Sequence, residues 1–414
     1  MNFMGDIEIR RLREEDFPAA VRVEGYAFGE HPTDEEIGVY RAAFNVDRTF
    51  CAVEQGALVG TASVMEMELT LPGEKVIPVA ALTWVAVLPT HRRRGILRRL
   101  MERQFEDMRL RGDAVSVLLA SESGIYGRFG YAPATSVSSF TLDRLKVTLT
   151  QAGGGGRMTL IEQSEAASLL PEVYDKYRRR QPGAMSRHPG WWTEHLYDME
   201  HHRDGADKMF HAIHEDATGA RDGYISYRIK LAWTSVVPRR ELEVVELIAL
   251  DAKAYRDLWG YCLGLDLVDT VSFRTGQVDE PLRWLVADAR TFQVRGLSDY
   301  LWARLLDVPR ALVARDYLTP GDLVFELRDD FLPDNSRCYR LHVAAGRGEV
   351  GCATDSPDPA LVLSAADLAA AYLGGVSFRT LAAAGRVREL RPGAVALADS
   401  MFAAEAPPYC VTMF

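Results

Sequence analysis

The pattern of apolar and polar positions is most informative over residues 79–131. Residues 79–87 form an almost unbroken apolar run, which is typical of a central strand covered on both faces. After Pro89, apolar residues recur at helical spacing and predict one buried stripe: Leu97, Leu100, Met101, Phe105 and Met108. Gly112 stands where a helix C-cap glycine is expected. With the apolar run 114–120 behind it, the pattern predicts a β-α-β unit.

Similar patterns lie on both sides of this unit. Residues 6–64 predict an edge strand, an apolar helix and two strands joined by a turn. The pattern of residues 244–273 again predicts a strand, a turn, a helix and a strand. From about Trp302 alternating strands lead into an alanine-rich helical segment at 363–387. The chain therefore predicts an α/β domain, a second α/β domain and a smaller α+β region.

The length of the chain and a run of glycines indicate several domains. The chain has 414 residues, which suggests two to four domains. Four consecutive glycines at 153–156 predict a flexible connection after the first of them. The net charge of -10 argues against a general nucleic-acid binder, whose phosphate contacts need clustered Lys and Arg. It is compatible with cationic small-molecule partners.

Cysteine and histidine patterns predict no metal site. The five cysteines are scattered and contain no CxxC pair, so neither zinc nor a disulfide framework is indicated. The histidines at 201, 202, 211 and 214 fit no metal-ligand spacing and are interpreted as structural. The N-terminus lacks a signal-peptide pattern, and no apolar run has the length of a membrane span. We expect a cytoplasmic protein without a membrane partner, although unconventional secretion stays compatible with the sequence.

The turn before the predicted helix is basic. His91, three arginines and Gly95 stand at the helix start, where unpaired N–H groups and the helix dipole attract anions. Gly95 allows a ligand to approach the backbone closely. A pyrophosphate is the natural occupant. The alternative is a solvated basic helix start, but ligands of α/β sheets tend to bind directly after such an apolar strand.

These motifs resemble a known family. The Arg-x-x-Gly turn, followed by Tyr126-x-x-Phe129-Gly130-Tyr131, resembles the acetyl-CoA-binding core of the GCN5-related N-acetyltransferases (GNAT). RRRGIL and SESGIYGRFGY are similar to its Eis-type branch, with Leu97 where the wider family has a small residue. The resemblance implies an α/β GNAT fold at 1–150, a degenerate GNAT-like domain without a CoA site at 157–300, and a sterol-carrier-protein-like α+β domain at 301–414.

The resemblance also implies a cofactor site for acetyl-CoA. Three backbone positions would contact the acyl and pantetheine part: Val85, Ala86 and Val87. The pyrophosphate would be held by Arg93, Arg94, Gly95, Ile96, Leu97 and Arg98. Ser121 and Glu122 would touch the pantetheine arm.

Acetylation of an amine also needs a base, because a free alkylamine is almost fully protonated at neutral pH. The strand at 82–87 carries no carboxylate. The family resemblance implies that the C-terminal carboxylate of Phe414 is the base, and the apolar ending PPYCVTMF is compatible with its burial. The alternative is an edge strand packed on its own domain. The remaining candidates are His91, Glu122, Glu66 and Glu68, the last two being on a strand face that could also be simply solvated.

The leaving thiolate needs a proton donor. The resemblance assigns this role to Tyr126, which follows the strand at 114–120 by a short turn. The alternative is a tyrosine of the hydrophobic core.

The resemblance therefore implies an acetyl-CoA-dependent N-acetyltransferase that acts by direct transfer in a ternary complex. The expected acceptors are primary amines of multi-cationic molecules: aminoglycosides, polyamines or lysine side chains. The family suggests a homohexamer. Two alternatives stay open: a GNAT enzyme acting on another small amine or a protein N-terminus, and a non-catalytic CoA- or lipid-binding protein.

Overall fold

The computed structural model describes residues 7–151, 153–233, 238–352 and 358–414. The first part of the chain forms a mixed sheet with helices on its faces. Its strands are β1 (Glu8–Arg11), β2 (Thr49–Glu54), β3 (Ala57–Leu71), β4 (Lys75–Val87), β5 (Val115–Leu119) and β6 (Ala132–Pro133). Its helices are α1 (Phe17–Phe28), α2 (Asp34–Ala43), α3 (Ile96–Arg111) and α4 (Ser123–Tyr126).

The central part of the chain forms a second mixed sheet. It contains β7 (Ser136–Asp143), β8 (Arg157–Ile161), β9 (Phe210–Glu215), β10 (Arg221–Trp233), β11 (Pro238–Ala249), β12 (Thr270–Gly276) and β13 (Phe292–Asp299). The helices of this part are α5 (Gln163–Arg178), α6 (Pro189–Tyr197), α7 (Ala252–Gly264) and α8 (Leu282–Leu285).

The last part begins with β14 (Leu301–Leu305) and then forms a smaller five-stranded sheet. The sheet contains β15 (Gly321–Arg328), β16 (Arg337–Ala344), β17 (Arg347–Cys352), β18 (Leu361–Ser364) and β19 (Arg388–Glu389). The accompanying helices are α9 (Val308–Ala314), α10 (Ala365–Ala371), α11 (Phe378–Ala383) and α12 (Ala394–Phe402).

Strands cross the predicted domain divisions. The first sheet has the order β1-β2-β3-β4-β5-β14-β6, so β14 inserts between β5 and β6. The second sheet has the order β13-β7-β12-β11-β10-β9-β8, so β7 pairs with β12 and β13. The predicted domain divisions near residues 150 and 301 stay predictions. The strand β7 precedes the first division but belongs to the second sheet, and β14 follows the second division but belongs to the first sheet. Strand exchange leaves no local pattern in the sequence because it is decided by long-range pairing.

The predicted β-α-β unit is present. The helical stripe predicted after Pro89 is α3, and Gly112 caps it in the left-handed conformation with φ 81°. Leu100, Met101 and Met108 lie on the inner face of this helix and are fully buried. Leu97 differs from its neighbours in the stripe because it is half-buried at the edge of a cavity.

The glycine run is mostly exposed, but parts of it lie close to side chains of the second domain. An added Cβ at Gly153 would lie 1.5 Å from an oxygen of Asp257, and one at Gly156 would lie 2.0 Å from His214 Nε2. Gly154 lies against Lys253 in the same way. A side chain at Gly153 or Gly156 would therefore displace its neighbours, whereas a Cβ at Gly155 would meet open space. The flexible connection stays a prediction.

The second β-α-β unit has a different helix start. Asp251 precedes α7, and its carboxylate accepts hydrogen bonds from the N–H groups of Lys253 and Ala254 at 2.8 and 2.9 Å. These groups are the ones that would face a phosphate at such a position. The chain's own carboxylate occupies them instead.

The first and the C-terminal sheets share one apolar core. The largest cluster of buried side chains joins the first sheet to the C-terminal sheet and includes Leu69, Val117 and Phe325. None of the helices in the described ranges is both long enough and apolar enough to cross a membrane. The four cysteines whose side chains are described are free: Cys51, Cys262, Cys338 and Cys410.

Candidate active site

A β-bulge in β4 creates the first feature of the site. The β3–β4 register pairs Ser63 with Thr83 and Thr61 with Ala86, so Trp84 and Val85 together face one residue of β3. Trp84 adopts a φ of 53°. The Thr61 hydroxyl donates a hydrogen bond to the Trp84 carbonyl at 2.9 Å and holds the bulge. A bulge bends the strand and removes backbone groups from the ladder, which leaves them available to a ligand.

The strands β4 and β5 separate beyond the bulge. Their parallel pairing is confined to Ala80 with Ser116 and Ala81 with Val117 among the described residues. The other edge of β5 pairs with β14 along its whole length. A gap therefore opens between the carboxyl ends of β4 and β5, where ligands of α/β sheets bind.

The start of α3 closes one end of this gap. Gly95 is the N-cap, has a φ of 77° and supplies no side-chain cap to the helix. The preceding Arg93 is also left-handed, with φ 64°. An added Cβ at Gly95 would meet open space, so the glycine is explained by its backbone conformation. The first N–H groups of α3 are thus presented to an anion.

These elements enclose a cavity of about 860 Å³. It runs from the bulge of β4, past the start of α3, to the turn after β5. Its lining includes every predicted cofactor residue except Arg94: Val85, Ala86, Val87, Arg93, Gly95, Ile96, Leu97, Arg98, Ser121 and Glu122. The cavity therefore brings the predicted cofactor positions together in one place.

Arg94 does not line the cavity, because its guanidinium is directed at the carboxylate of Glu54. Its Nη2 and Nη1 donate to the two oxygens of Glu54 at 2.6 and 3.1 Å. His91 Nε2 lies 3.0 Å from the same carboxylate. The hydrogen bond from Arg94 holds the pKa of Glu54 below its usual value. Arg94 and His91 thus brace the loop onto the end of β2, which makes His91 a poor candidate for a freely acting base.

Tyr126 lies at the other side of the cavity. It ends the short helix α4, is 6% exposed and lines the cavity next to Ser121 and Glu122. Burial raises the pKa of the Tyr126 phenol to about 12, and a hydrogen bond with Ser121 opposes this effect. The phenol is therefore protonated at neutral pH.

The C-terminal tail packs on the second domain. Tyr409 N–H donates to the Pro182 carbonyl at 2.8 Å, and the Trp191 indole donates to the Met413 carbonyl at 2.6 Å. Cys410 and Thr412 are fully buried. The described tail residues form no strand, so the alternative of an edge strand on the third domain is wrong.

Arg187 is the centre of this anchorage. It forms a bidentate ion pair with Glu246 at 3.0 and 2.5 Å, and its Nε donates to Thr412 Oγ1 at 3.0 Å. The guanidinium lies 3.6 Å above the ring of Tyr174 and 4.1 Å from that of Trp191. Burial by itself lowers the pKa of Arg187, but the charge and hydrogen bonds of Glu246 and the neighbouring Tyr174 and Tyr224 together outweigh it and leave this pKa raised. A charged, buried arginine thus fixes the tail two residues before Phe414.

Phe414 is half-buried and packs against the large apolar cluster. The lining of the cofactor cavity, among the described residues, contains Tyr126 but not Phe414. The structure therefore places the predicted acid in this cavity and the predicted base against the large apolar cluster, directly after Met413, whose carbonyl accepts from Trp191.

An acidic cluster formed by Glu24, Glu30 and Glu194 was not predicted. Burial, together with the charges of Glu30 and Glu194, raises the pKa of Glu24 to about 7. Burial also raises the pKa of Glu194 to about 7. Glu24 lies on α1 and Glu194 on α6, one helix turn from Trp191. The sequence offered only a weak signal for Glu24, which with Arg22 is one of the two charged residues in a mostly apolar helix stretch.

Tyr40 and Trp84 connect the acidic cluster to the bulge. The Tyr40 ring packs edge-on against Trp84, with centroids 5.3 Å apart. Burial raises the pKa of Tyr40, and the charges of Glu194 and Glu24 raise it further, which shows that they are close. Trp84 directly precedes Val85, a residue of the cofactor cavity. The acidic cluster and the cofactor cavity therefore lie on either side of the bulge.

Two of the remaining predicted bases form ion pairs. Glu68 accepts from Arg178 at 2.8 Å, and Glu66 lies 3.5 Å from Arg48 with 62% of its side chain exposed. Glu122 lines the cofactor cavity. Among the histidines, His211 bonds Ser226 and His214 bonds Asp222, as structural histidines do.

Comparisons with known proteins agree with this architecture. Models described as "Acetyltransferase (GNAT) domain" match residues 8–134 and 183–305, and a "Sterol carrier protein domain" matches residues 308–411. The N-acetyltransferase Eis of Mycobacterium tuberculosis is 32% identical over 410 residues, covering 95% of this chain and 96% of Eis. The chain belongs to the Eis family of GNAT N-acetyltransferases.

Other relatives also match nearly the whole chain. An uncharacterized N-acetyltransferase of Streptomyces avermitilis is 37% identical over 409 residues, covering 97% of this chain and 98% of that protein. The crystal structure of Eis1 from Mycobacterium abscessus superposes with a TM-score of 0.86 at 34% identity, covering 99% and 100% of the two chains. The predicted fold class and family are confirmed, and the protein is an N-acetyltransferase.

Proposed function

We propose that this enzyme transfers acetyl from acetyl-CoA to primary amines of multi-cationic acceptors: aminoglycosides, polyamines or lysine side chains. The observation that carries the proposal is the acidic cluster on the far side of the bulge from the cofactor cavity. Carboxylates attract a second or third ammonium group of the acceptor while one amine approaches the thioester. A neutral metabolite would gain nothing from these charges.

The cofactor cavity suits acetyl-CoA. The N–H groups at the start of α3, with Arg93 and Arg98, supply positive charge for the pyrophosphate. The backbone of Val85, Ala86 and Val87 provides groups for the pantetheine amides and the thioester. Arg94 supports this site through Glu54 instead of contacting the phosphates.

The chemistry is a direct transfer. The carboxylate of Phe414 accepts a proton from the acceptor ammonium, directly or through water. The neutral amine then attacks the thioester carbonyl carbon, the C–N bond forms and the C–S bond breaks. Tyr126 donates its proton to the departing thiolate. No acetyl group is carried by the enzyme in this scheme, and the reaction itself uses no metal.

A homohexamer and a cytoplasmic location stay proposals taken from the family resemblance. Exposed apolar side chains at one end of the second sheet support self-association: Leu160, Phe210 and Leu231.

Thiol release with a panel of amines tests the acceptor class. We expect aminoglycosides and polyamines to react well above background, with neutral alcohols and singly charged amines much slower. Glu24→Gln combined with Glu194→Gln should raise KM for a polyamine at least tenfold and change KM for acetyl-CoA little. Glu66→Gln, an exposed carboxylate outside the cluster, is the matched control. Background rates with every amine would contradict the proposal.

The acceptor KM should depend on pH near neutrality. Glu24 and Glu194 have a pKa of about 7, raised by burial. Both are neutral below this pH and charged above it, so KM for a polyamine should fall as pH rises from about 6 to 8. Measured KM–pH profiles of the wild type and the double Gln variant check this. An identical fall in both proteins would assign the effect to the acceptor itself.

Replacing Tyr126 with Phe should lower kcat by about 10²- to 10⁴-fold, the usual contribution of a positioned general acid. The ring packing against Tyr131 is retained, so thermal stability should change little. Steady-state kinetics with a polyamine acceptor provide the measurement. Full kcat in the variant would remove Tyr126 from the proton transfer and leave it as a cavity wall.

A further inference from the structure

Three metal-ligating side chains meet beside the acidic cluster. Glu30 lies in the loop after α1, whereas His201 and His202 lie on the short 3₁₀ helix Glu200–Arg203 of the second domain. One ligand atom of each residue lies within 4.8 Å of the others. The two imidazole rings are tilted by 64° with centroids 4.2 Å apart. The sequence showed no motif because the third ligand comes from a distant segment.

A fourth side chain orients the first histidine. Glu36 Oε2 accepts hydrogen bonds from the N–H and hydroxyl of Thr33 at 2.7 and 3.0 Å, which fixes the carboxylate at the start of α2. Its other oxygen lies 3.4 Å from His201 Nδ1, while His201 Nε2 faces Glu30 Oε2 at 3.9 Å. A carboxylate beside Nδ1 favours the proton there and leaves the Nε2 lone pair for a metal.

We propose that Glu30, His201 and His202 bind a divalent transition-metal ion of the zinc class. Two imidazoles and one carboxylate are typical ligands of Zn²⁺, with the fourth position left to water or to another ligand. Imidazole donors do not suit Ca²⁺ or Mg²⁺, which take oxygen ligands. The ion would tie the loop after α1 to the second domain.

An alternative interpretation of these side chains is an ion-pair network that contains no metal. In that case protonated His201 would simply lie between Glu30 and Glu36. His202 adds a second imidazole to the group, which an ion pair of His201 with two carboxylates does not require.

The site has a consequence for acetylation that rests on the proposed function. Glu30 is part of the acidic cluster, and its charge contributes to the raised pKa of Glu24. A divalent cation on Glu30 would reduce the negative potential that attracts a polyamine. The ion should therefore inhibit by raising the acceptor KM, without changing kcat or KM for acetyl-CoA.

Zinc titration of the chelator-treated full-length protein against a chromophoric chelator tests the site. We expect one equivalent of Zn²⁺ to bind, and the His201→Ala and His202→Ala variants each to bind at least tenfold more weakly. Glu36→Gln, which retains the helix cap, should weaken binding by about tenfold. His342→Ala, an exposed histidine of the third domain, is the matched control and should bind like the wild type. Thermal unfolding without metal checks that the variants are folded.

Absence of saturable binding, or equal affinity in the double His201→Ala/His202→Ala variant, would overturn the metal site. Titration does not require turnover, so its outcome is independent of the acetyltransferase proposal. If zinc binds at this site but leaves the polyamine KM unchanged, the metal site stands and its link to the acceptor is overturned. If no amine is acetylated at all, the proposed function fails while the titration still decides the metal site.

Discussion

Adding two residues after Phe414 should lower kcat by about 10²- to 10⁴-fold, the range expected when a general base is lost. The extension replaces the carboxylate at residue 414 with an amide and moves the charge away. Trp191 and Arg187 hold the tail up to Met413, so the extended chain should still bind in place. KM for acetyl-CoA should stay nearly constant because its cavity lies elsewhere.

Steady-state kinetics of the extended chain, of an N-terminally extended control and of the Phe414→Ala variant test this prediction. The same dipeptide at the N-terminus is the matched control. Phe414→Ala keeps a terminal carboxylate at the same position and should retain far more activity than the extended chain. Undiminished turnover in the extended chain would exclude the carboxylate and favour Glu24 or Glu194, whose pKa near 7 also suits a base.

Replacing Arg187 with Met should destabilise the protein by about 3–5 kcal/mol, because Glu246 is left charged and buried without its partner. Both side chains are almost fully buried, with 1% and 4% of their surface exposed. The same substitution removes the hydrogen bond to Thr412, so the tail should lose its position and kcat should fall. Urea unfolding and steady-state kinetics measure the two effects.

A double variant separates these effects. Glu246→Gln in the Arg187→Met background removes the uncompensated charge and keeps an acceptor for Tyr224, which donates to Glu246. Most of the lost stability should return, whereas kcat should stay low because Thr412 still lacks its donor. If kcat recovers together with stability, Arg187 serves the fold alone and does not position the tail.

The cofactor half of the site was predictable from the sequence because it is local. The strand β4, the basic turn and α3 follow one another, and helical periodicity together with Gly112 predicts α3 closely. Arg94 shows the limit of this reasoning. Its neighbours in sequence suggested a phosphate contact, but its partner Glu54 is distant in the chain and leaves no periodic signal.

The acidic cluster was not predictable because its parts come from different domains. Glu24 and Glu194 approach each other only through the packing of helices from two domains. The closeness of the glycine run to Asp257 and His214 could not be predicted for the same reason, since these residues are distant in the chain. The sequence did indicate that the tail is buried, but not that Arg187 holds it.

Acetyl-CoA labelled in its acetyl group tests the central claim most directly. After incubation with enzyme and a polyamine, intact-mass measurement of both the protein and the amine locates the label. Direct transfer predicts labelled N-acetylated polyamine in proportion to released thiol, and no label on the protein at any time. Label retained on the protein, or thiol release without an acetylated amine, would contradict the account.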